Sequence, residues 1–410
     1  MLLKCSVPDH NPSDNFSALQ LDLHYGVRVP NGPVHSFVFM PSGGYDESTN
    51  RLGLLAVSNS MSDVHIYALP LNLPGDEQTG TESNVIQLNS LLTLSLDITN
   101  PVQDQCTRIC WSQARGHNFL VTGYAKGNVA CWDIGDTEGL NCIKQDNQLY
   151  IAPLNFFFIG ERNIQYLDLH YDANGPRWLA VGTNVRRFCI FDIKNWSQPY
   201  PLVEGSSISH LYVTSLFWSP ICETIIVGSN ELFVNRMTRN LALSPSGINY
   251  DYKTLESTVS STRAMHSNIQ KNYLVLGTDN GDLVFVDERD LNFPPALNKS
   301  AFIVRAVSTL DLVHLSEATS DPKDPITPET FFRDYALRIK PVVPVQPKGR
   351  TTYLSEKRMP KNLTSLPLTR YNCVHCNWNS PANSLVAVGT EHGLLRILNF
   401  QRDKFFQRQP

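Results

Sequence analysis

A short apolar run ending in a small residue recurs six times along the chain, and it constrains the fold more than any other feature. It reads Gly53-Leu-Leu-Ala-Val-Ser58, Phe119-Leu-Val-Thr-Gly123, Trp178-Leu-Ala-Val-Gly182, Thr224-Ile-Ile-Val-Gly228, Tyr273-Leu-Val-Leu-Gly277 and Leu385-Val-Ala-Val-Gly389. A strand-like segment precedes each run, as in Thr107-Arg-Ile-Cys-Trp111 or Gln165-Tyr-Leu-Asp-Leu-His170, and another follows, as in Val129-Ala-Cys-Trp132 or Leu283-Val-Phe-Val286. Near-continuous apolar runs bounded by Gly, Asn, Ser and Asp mark strands buried on both faces. Few windows hold a 3.6-residue period, so amphipathic helices are not the building material. The small residue that closes each run lets a neighbouring backbone approach closely.

Spacing turns the strands into an architecture. Ser58, Gly123, Gly182, Gly228, Gly277 and Gly389 are separated by 65, 59, 46, 49 and 112 residues. The first four gaps fit one small sheet each and the last fits two, which predicts an all-β, seven-bladed WD40-type β-propeller with six clear blades and one degenerate blade between Asp290 and Arg370. A six-bladed ring is the alternative if that interval is only a loop. The expected organisation is an N-terminal segment, 1–24, whose stretch Ala18–His24 closes the ring on the last blade. The propeller runs over 25–400 with a Pro-rich, basic insertion at about 312–370, and a tail covers 401–410. The WD dipeptide is intact at Trp132-Asp133 and degenerate at Phe191-Asp192 and Val286-Asp287. Gly116-His117 lies between the first two strands of its blade rather than ahead of them, so a regular Asp–His network is not expected. Trp111, Trp218 and Trp378 end the first strands of their blades and read as interblade packing.

Composition excludes several function classes. Hydrophobic content of 42% and charged content of 18% are those of a globular chain, and a net charge of −4 excludes a strongly basic nucleic-acid binder. Nine scattered cysteines form no disulfide framework and read as reduced thiols of the cytosol or nucleus. Met1–Asn11 has no apolar core of a signal peptide. The longest apolar stretch, Ile151–Gly160, contains Pro153 and Asn155 and is about half of what a membrane span needs. No membrane association is expected.

No catalytic motif stands out: there is no Gly-rich phosphate loop, H-E-x-x-H or G-x-S-x-G. Carboxylate pairs such as Asp46 with Glu47 and Asp287 with Glu288 are adjacent and point apart. Cys373-Val-His-Cys376 looks like half a zinc site, but a structural site needs four ligands and the pair Cys106 and Cys110 belongs to another blade. Strand alternation also places Cys373 and Cys376 on opposite faces. The expectation is a non-enzyme with no catalytic residue, metal, cofactor or small-molecule substrate.

Two charged features are candidate contact sites. Between residues 340 and 370 the chain carries Lys340, Lys348, Arg350, Lys357, Arg358, Lys361 and Arg370 against one acid, Glu356. Prolines at 341, 344, 347, 360 and 367 keep this segment extended. It reads equally as a loop contacting phosphate or an acidic partner through counterion release and as a solvated insertion. With only Tyr353 and Tyr371 as interleaved aromatics, it would add affinity without base reading. Arg177, Arg186 and Arg187 flank one blade's strands and read either as a partner patch or as ordinary turn charge. Asp321-Pro-Lys-Asp-Pro-Ile-Thr-Pro328 reads as a linker.

Some residues go beyond the general repeat. Arg51-Leu-Gly-Leu-Leu-Ala-Val57 followed by Asp63-Val-His-Ile-Tyr-Ala-Leu-Pro70, then Cys110-Trp-Ser112, Val121-Thr-Gly-Tyr-Ala-Lys-Gly-Asn-Val129 and Gly389-Thr-Glu-His-Gly-Leu-Leu-Arg396, together resemble the WD-repeat subunit of transcription factor IIIC (the general transcription factor 3C polypeptide 2 family). The resemblance runs from about Tyr25 to Phe400. It implies a nuclear, non-catalytic scaffold that docks other subunits of a transcription factor IIIC-like complex and supports RNA polymerase III promoter binding at transfer-RNA genes, with DNA contacted indirectly or through the basic loop. The family carries a long charged extension ahead of its propeller, whereas fewer than 30 residues precede the first blade here, so DNA contact through such an extension is not expected of this chain. The alternative is a general WD40 peptide-binding adaptor, a ubiquitin-ligase receptor or chromatin reader, with an acidic or aromatic-lined central pocket.

Overall fold

In the computed structural model, the described residues are 2–6, 20–30, 32–41, 45–59, 62–72, 85–97, 103–111, 118–135, 142–145, 148–160, 162–172, 175–183, 187–193, 201–206, 213–219, 224–229, 233–237, 253–257, 262–268, 271–278, 282–287, 305–314, 335–339, 344–345, 371–377, 384–390 and 395–400. Every regular element among them is a β-strand, so the fold class is all-β. All six predicted glycine- or serine-ended runs are strands. The chain divides into two compact units, 1–220 with 238–250 and 221–237 with 251–410.

In the first unit the strands form up-and-down antiparallel sheets that follow one another in the chain. The first blade is built on Ser36–Phe39, Arg51–Ser58, Val64–Pro70 and Leu92–Leu94. The second contains Cys106–Trp111, Phe119–Tyr124, Asn128–Asp133 and Asn155–Phe158. Ile164–Asp172, Gly175–Thr183, Arg187–Asp192 and Pro201–Ser206 make the third, and Val213–Ser219 packs on it. Four-stranded meanders stacked face to face in chain order are propeller-type blades. Alternation decides what enters each seam. Ala56, Val64, Ile66 and Leu94 meet Trp111, Leu120, Tyr124 and Trp132 between the first two blades. Val121, Val129 and Cys131 meet Ile164, Leu169, Leu179 and Val181 between the second and third. Each large apolar side chain removed from water in this way contributes roughly 1.5–3 kcal/mol.

The small residues that end the runs have a clear physical cause. A Cβ on Gly123 would lie 2.5 Å from Cγ2 of Ile164, the first residue of the third blade. In the second unit a Cβ on Gly277 would lie 2.9 Å from Cβ of Tyr371, the first strand residue of the next sheet. At both glycines the first strand of the following sheet packs against this position. Ser58, which takes the equivalent place in the first blade, instead uses its hydroxyl: it accepts the Ser36 N–H at 3.1 Å, and the Ser36 hydroxyl accepts the Ile109 N–H of the next blade at 3.2 Å. Among the described residues the three non-glycine residues with positive φ are Asn50, Asn163 and Asn272, each one position before a strand, where the asparagine side chain tolerates the left-handed turn.

The second unit contains three sheets. Thr224–Ser229, Phe233–Met237 and Lys253–Ser257 pair in order. A six-stranded sheet runs through Thr262–Asn268, Tyr273–Thr278, Asp282–Asp287, Arg305–His314 and Tyr335–Ile339, with Pro344–Val345 also paired to Arg305–His314. Tyr371–Cys376, Leu385–Thr390 and Leu395–Asn399 form the last. Tyr273, Phe285, Tyr371 and Phe400 form the centre of this unit's core, with Phe285 stacked on Phe400 at 3.9 Å.

Most of the interval Asp290–Arg370, where the degenerate blade is expected, lies outside the described residues, and the strands described within it join the preceding sheet. Arg305–His314 is ten residues long, so its first half pairs with Asp282–Val286 and its second half with Tyr335–Ile339, extending the preceding blade. The stretch Ala18–His24 was expected to pair with the last blade. Instead Gln20–Arg28 pairs antiparallel with Leu2–Ser6 and parallel with Val85–Gln87. The sheet is tied to the first blade by the Tyr25 hydroxyl, which donates to the Pro70 carbonyl at 2.7 Å. A local partner was at hand for each edge of that strand, and a long-range pairing had to compete with both.

Candidate functional site

The predicted basic segment, Lys340, Lys348, Arg350, Lys357, Arg358, Lys361 and Arg370, lies outside the described residues, as does Arg186. Arg177 and Arg187 fall in strands of the third blade whose register is fixed: Trp178 pairs with Asp192 and Gly182 with Phe188. Arg177 is therefore at one end of this hairpin and Arg187 at the other, roughly 20 Å apart along the strands. The backbone does not bring these two positions together. Residues on paired strands meet only when they occupy the same rung, and closeness in sequence to a common strand does not ensure that.

The metal reading also has a local answer. Cys376 is buried and Cys373 exposed, on opposite sides of their strand. The Cys376 N–H donates to Nδ1 of His266, so that imidazole nitrogen is already engaged. Among the described residues no group of three or more His, Cys, Asp or Glu side chains converges as metal ligands would. In the first unit burial pushes the Cys106 thiol up to about 12 and the Cys110 and Cys131 thiols well above their usual range, so these groups act as small apolar side chains.

A cleft of about 660 Å³ opens where Val85–Gln87 approaches the first blade, lined by Thr49, Asn50, Arg51, Ala68, Leu69, Pro70, Ile86, Gln87, Leu88 and Leu91. That lining holds no carboxylate, imidazole or thiol to move a proton or form a covalent bond. Its polar rim is structural: Asn50 accepts the Asn72 N–H and donates to the Asn72 carbonyl, both at 2.8 Å.

The surface offers aromatic contact instead. In Asn155–Phe158, the outer strand of the second blade, Phe157 turns inward against Phe191 at 5.2 Å while Phe156 and Phe158 are 44% and 59% exposed. Beside the first blade, Cys142–Gln145 and Gln148–Ile151 form a hairpin that adds to its sheet, Gln148–Ile151 running parallel to Leu92–Leu94. Ile151 is buried in the seam, and Ile143 is exposed on the outer strand. Chain from the second blade thus completes the first, and the outer rim presents Ile143, Phe156 and Phe158. The sequence carried half of this signal, because the alternation through Phe156-Phe157-Phe158 is hidden in an unbroken aromatic run.

The WD position is more regular than its sequence neighbours suggest. Trp132 donates its indole N–H to Thr122, and Asp104 lies two residues ahead of the strand Cys106–Trp111. The Asp104 carboxylate accepts the Lys126 N–H at 2.9 Å and Asn128 Nδ2 at 2.7 Å, fixing the turn before the third strand. Asp104 was not singled out in the sequence, where an acid two residues ahead of a strand is unremarkable. Trp111 is buried in the seam of the first two blades and Trp218 stacks on Trp178 at 5.8 Å, as interblade packing requires; Trp378 lies outside the described residues.

No protein-family model matches the chain. Over 210 residues it is 26% identical to "General transcription factor 3C polypeptide 2" of Homo sapiens and 25% identical to the protein of that name from Pongo abelii. These matches take in 47% of this chain, and they span 22% of the length of each relative. The relatives bear the name of a transcription factor and not of an enzyme. Among solved structures, the Cps50 (Swd1) β-propeller domain of Myceliophteria thermophila is similar at a TM-score of 0.47 and 13% identity, covering 90% of this chain and 87% of that one. No helix among the described residues is long and apolar enough to cross a membrane.

Proposed function

We propose that the chain is a non-catalytic, propeller-type scaffold subunit of a nuclear transcription factor IIIC-like complex, docking partner subunits and supporting promoter binding at transfer-RNA genes. The observation that carries this reading is the 210-residue likeness to general transcription factor 3C polypeptide 2. The blade architecture fits it, since stacked sheets with solvated rims present large rigid surfaces and an outward-facing aromatic edge. In this reading the propeller extends over 25–400, the exposed Phe156 and Phe158 meet a partner subunit, and the 340–370 basic segment lies near phosphate. Arg187 and Arg177 then contribute separately, at opposite ends of one blade.

The test is affinity purification of the tagged full chain from nuclear extract. The expected result is recovery of RNA polymerase III promoter factors and of transfer-RNA gene fragments. Recovery of neither would overturn the assignment, and loss of the promoter factors alone in a Phe156→Ser/Phe158→Ser variant would locate the contact.

A further inference from the structure

We infer that the Asp168 carboxyl is a proton-operated latch, holding the strand Val213–Ser219 to the third blade when protonated and loosening it when ionised. Asp168 lies in Ile164–Asp172, on the face away from Leu167 and Leu169, which pack toward the second blade. One carboxylate oxygen accepts the N–H of Leu169 at 2.9 Å. The other accepts the backbone N–H of Trp218, across the seam. The indole of Trp218 stacks in turn on Trp178 at 5.8 Å with the ring planes 13° apart. Backbone and side chain of Trp218 are therefore held by the same blade at adjacent points, since Asp168 pairs with Ala180, two residues along from Trp178.

The carboxylate has no cation to answer it among the described residues. From the strand Cys106–Trp111 the Cys110 thiol lies within its electrostatic reach, and its negative charge pushes that thiol further up. Arg108 on that strand is committed elsewhere, to the Gln165 carbonyl and the face of Tyr166 at 5.3 Å. Neither Trp178–Thr183 nor Ser215–Trp218 carries an ionisable side chain. The Ser215 hydroxyl of that strand is buried with no hydrogen-bond partner among the described residues.

Burial outweighs the two N–H bonds and pushes the carboxyl up to about 7, so the group takes up and gives back a single proton near neutrality. The closed seam therefore binds the proton more tightly than an open, hydrated carboxyl does, so protonation tightens the seam and ionisation, which leaves a buried charge with two N–H partners, loosens it.

Stacked indoles give an exciton couplet in far-ultraviolet circular dichroism, and the Trp178–Trp218 pair provides that signal. The full chain is titrated between about pH 6 and pH 8, which brackets the raised value of this carboxyl. The expected result is a change in couplet amplitude with a midpoint near 7, absent from Asp168→Asn. A flat couplet in the unaltered protein, or the same transition in the Asn variant, would overturn the latch. Should that variant not fold, hydrogen exchange of the unaltered protein, corrected for intrinsic rates, decides. Protection that changes across this range only in peptides from 164–172 and 213–219 supports the latch, and a uniform change overturns it.

Discussion

Trp132 donates its indole N–H to Oγ1 of Thr122 over 2.9 Å, with both side chains fully buried in the second blade. The Thr122 hydroxyl donates onward to the Tyr124 hydroxyl at 3.1 Å. Thr122→Val keeps the shape and strands the indole donor. It is expected to lower unfolding stability by about 1–3 kcal/mol, the cost of a buried unpaired donor. Denaturant unfolding followed by tryptophan fluorescence checks it, and an unchanged midpoint would show the hydrogen bond contributes nothing.

Gly123 and Ile164 test the close approach between blades. Gly123→Ala drives a methyl group against Ile164 Cγ2 and is expected to cost roughly 1–3 kcal/mol through overpacking. Ile164→Ala alone should cost about 2–5 kcal/mol by leaving a cavity. The double variant should lose less than the two single losses together, because each change relieves the other. Additive losses in a double-mutant cycle would mean that the two positions do not touch.

Asp104 should act locally. Asp104→Ala removes the acceptor of the Lys126 N–H and of Asn128 Nδ2, and is expected to cost about 1–3 kcal/mol. Hydrogen exchange should accelerate first at residues 125–128. Equal acceleration throughout the blade would point to a global role instead.

The second unit should weaken in mild acid. Desolvation, with His375 at 4.1 Å between ring centroids, holds the His266 imidazole well below its usual value. A base whose folded pKa is depressed contributes stability that is fully present above the unfolded value, about 6.5, and is lost progressively as pH falls below it. Unfolding midpoints measured at descending pH should therefore drop from about 6.5 downward, and His266→Gln should flatten the drop. An identical pH profile in the variant would clear His266 of the effect.

The basic segment supplies the prediction for the assembled complex. Reversing charge at Lys357, Arg358 and Lys361 should weaken DNA association and flatten its dependence on salt, by up to about three phosphate contacts in the slope. Binding isotherms at several salt concentrations provide the measurement. An unaltered slope would exclude phosphate contact by these residues.

Much of the fold was legible because the signal is local. The runs ending at Gly123 and Gly277 are strands, and each records in its own letters that the first strand of the next sheet packs against its end. Opposite exposure of Cys373 and Cys376 also follows from two-residue alternation. Sheet membership was less legible. Arg305–His314 has the composition of a strand in a new sheet, yet it joins the old one, and the hairpin of residues 142–151 completes a blade to which it does not belong in chain order. The candidate contact residues fared likewise, since only register showed that Arg177 and Arg187 stand at opposite ends.

The sequence alone determined strand identity, the blade repeat and the scarcity of catalytic chemistry, because burial pattern, small-residue placement and motif content are written along a few consecutive residues. Tertiary structure alone decided which edge each strand takes and which polar groups meet across a seam, such as Asp168 with the Trp218 N–H. Backbone edges offer the same donors and acceptors whatever their side chains, so the choice among them falls to packing and loop closure over the whole unit.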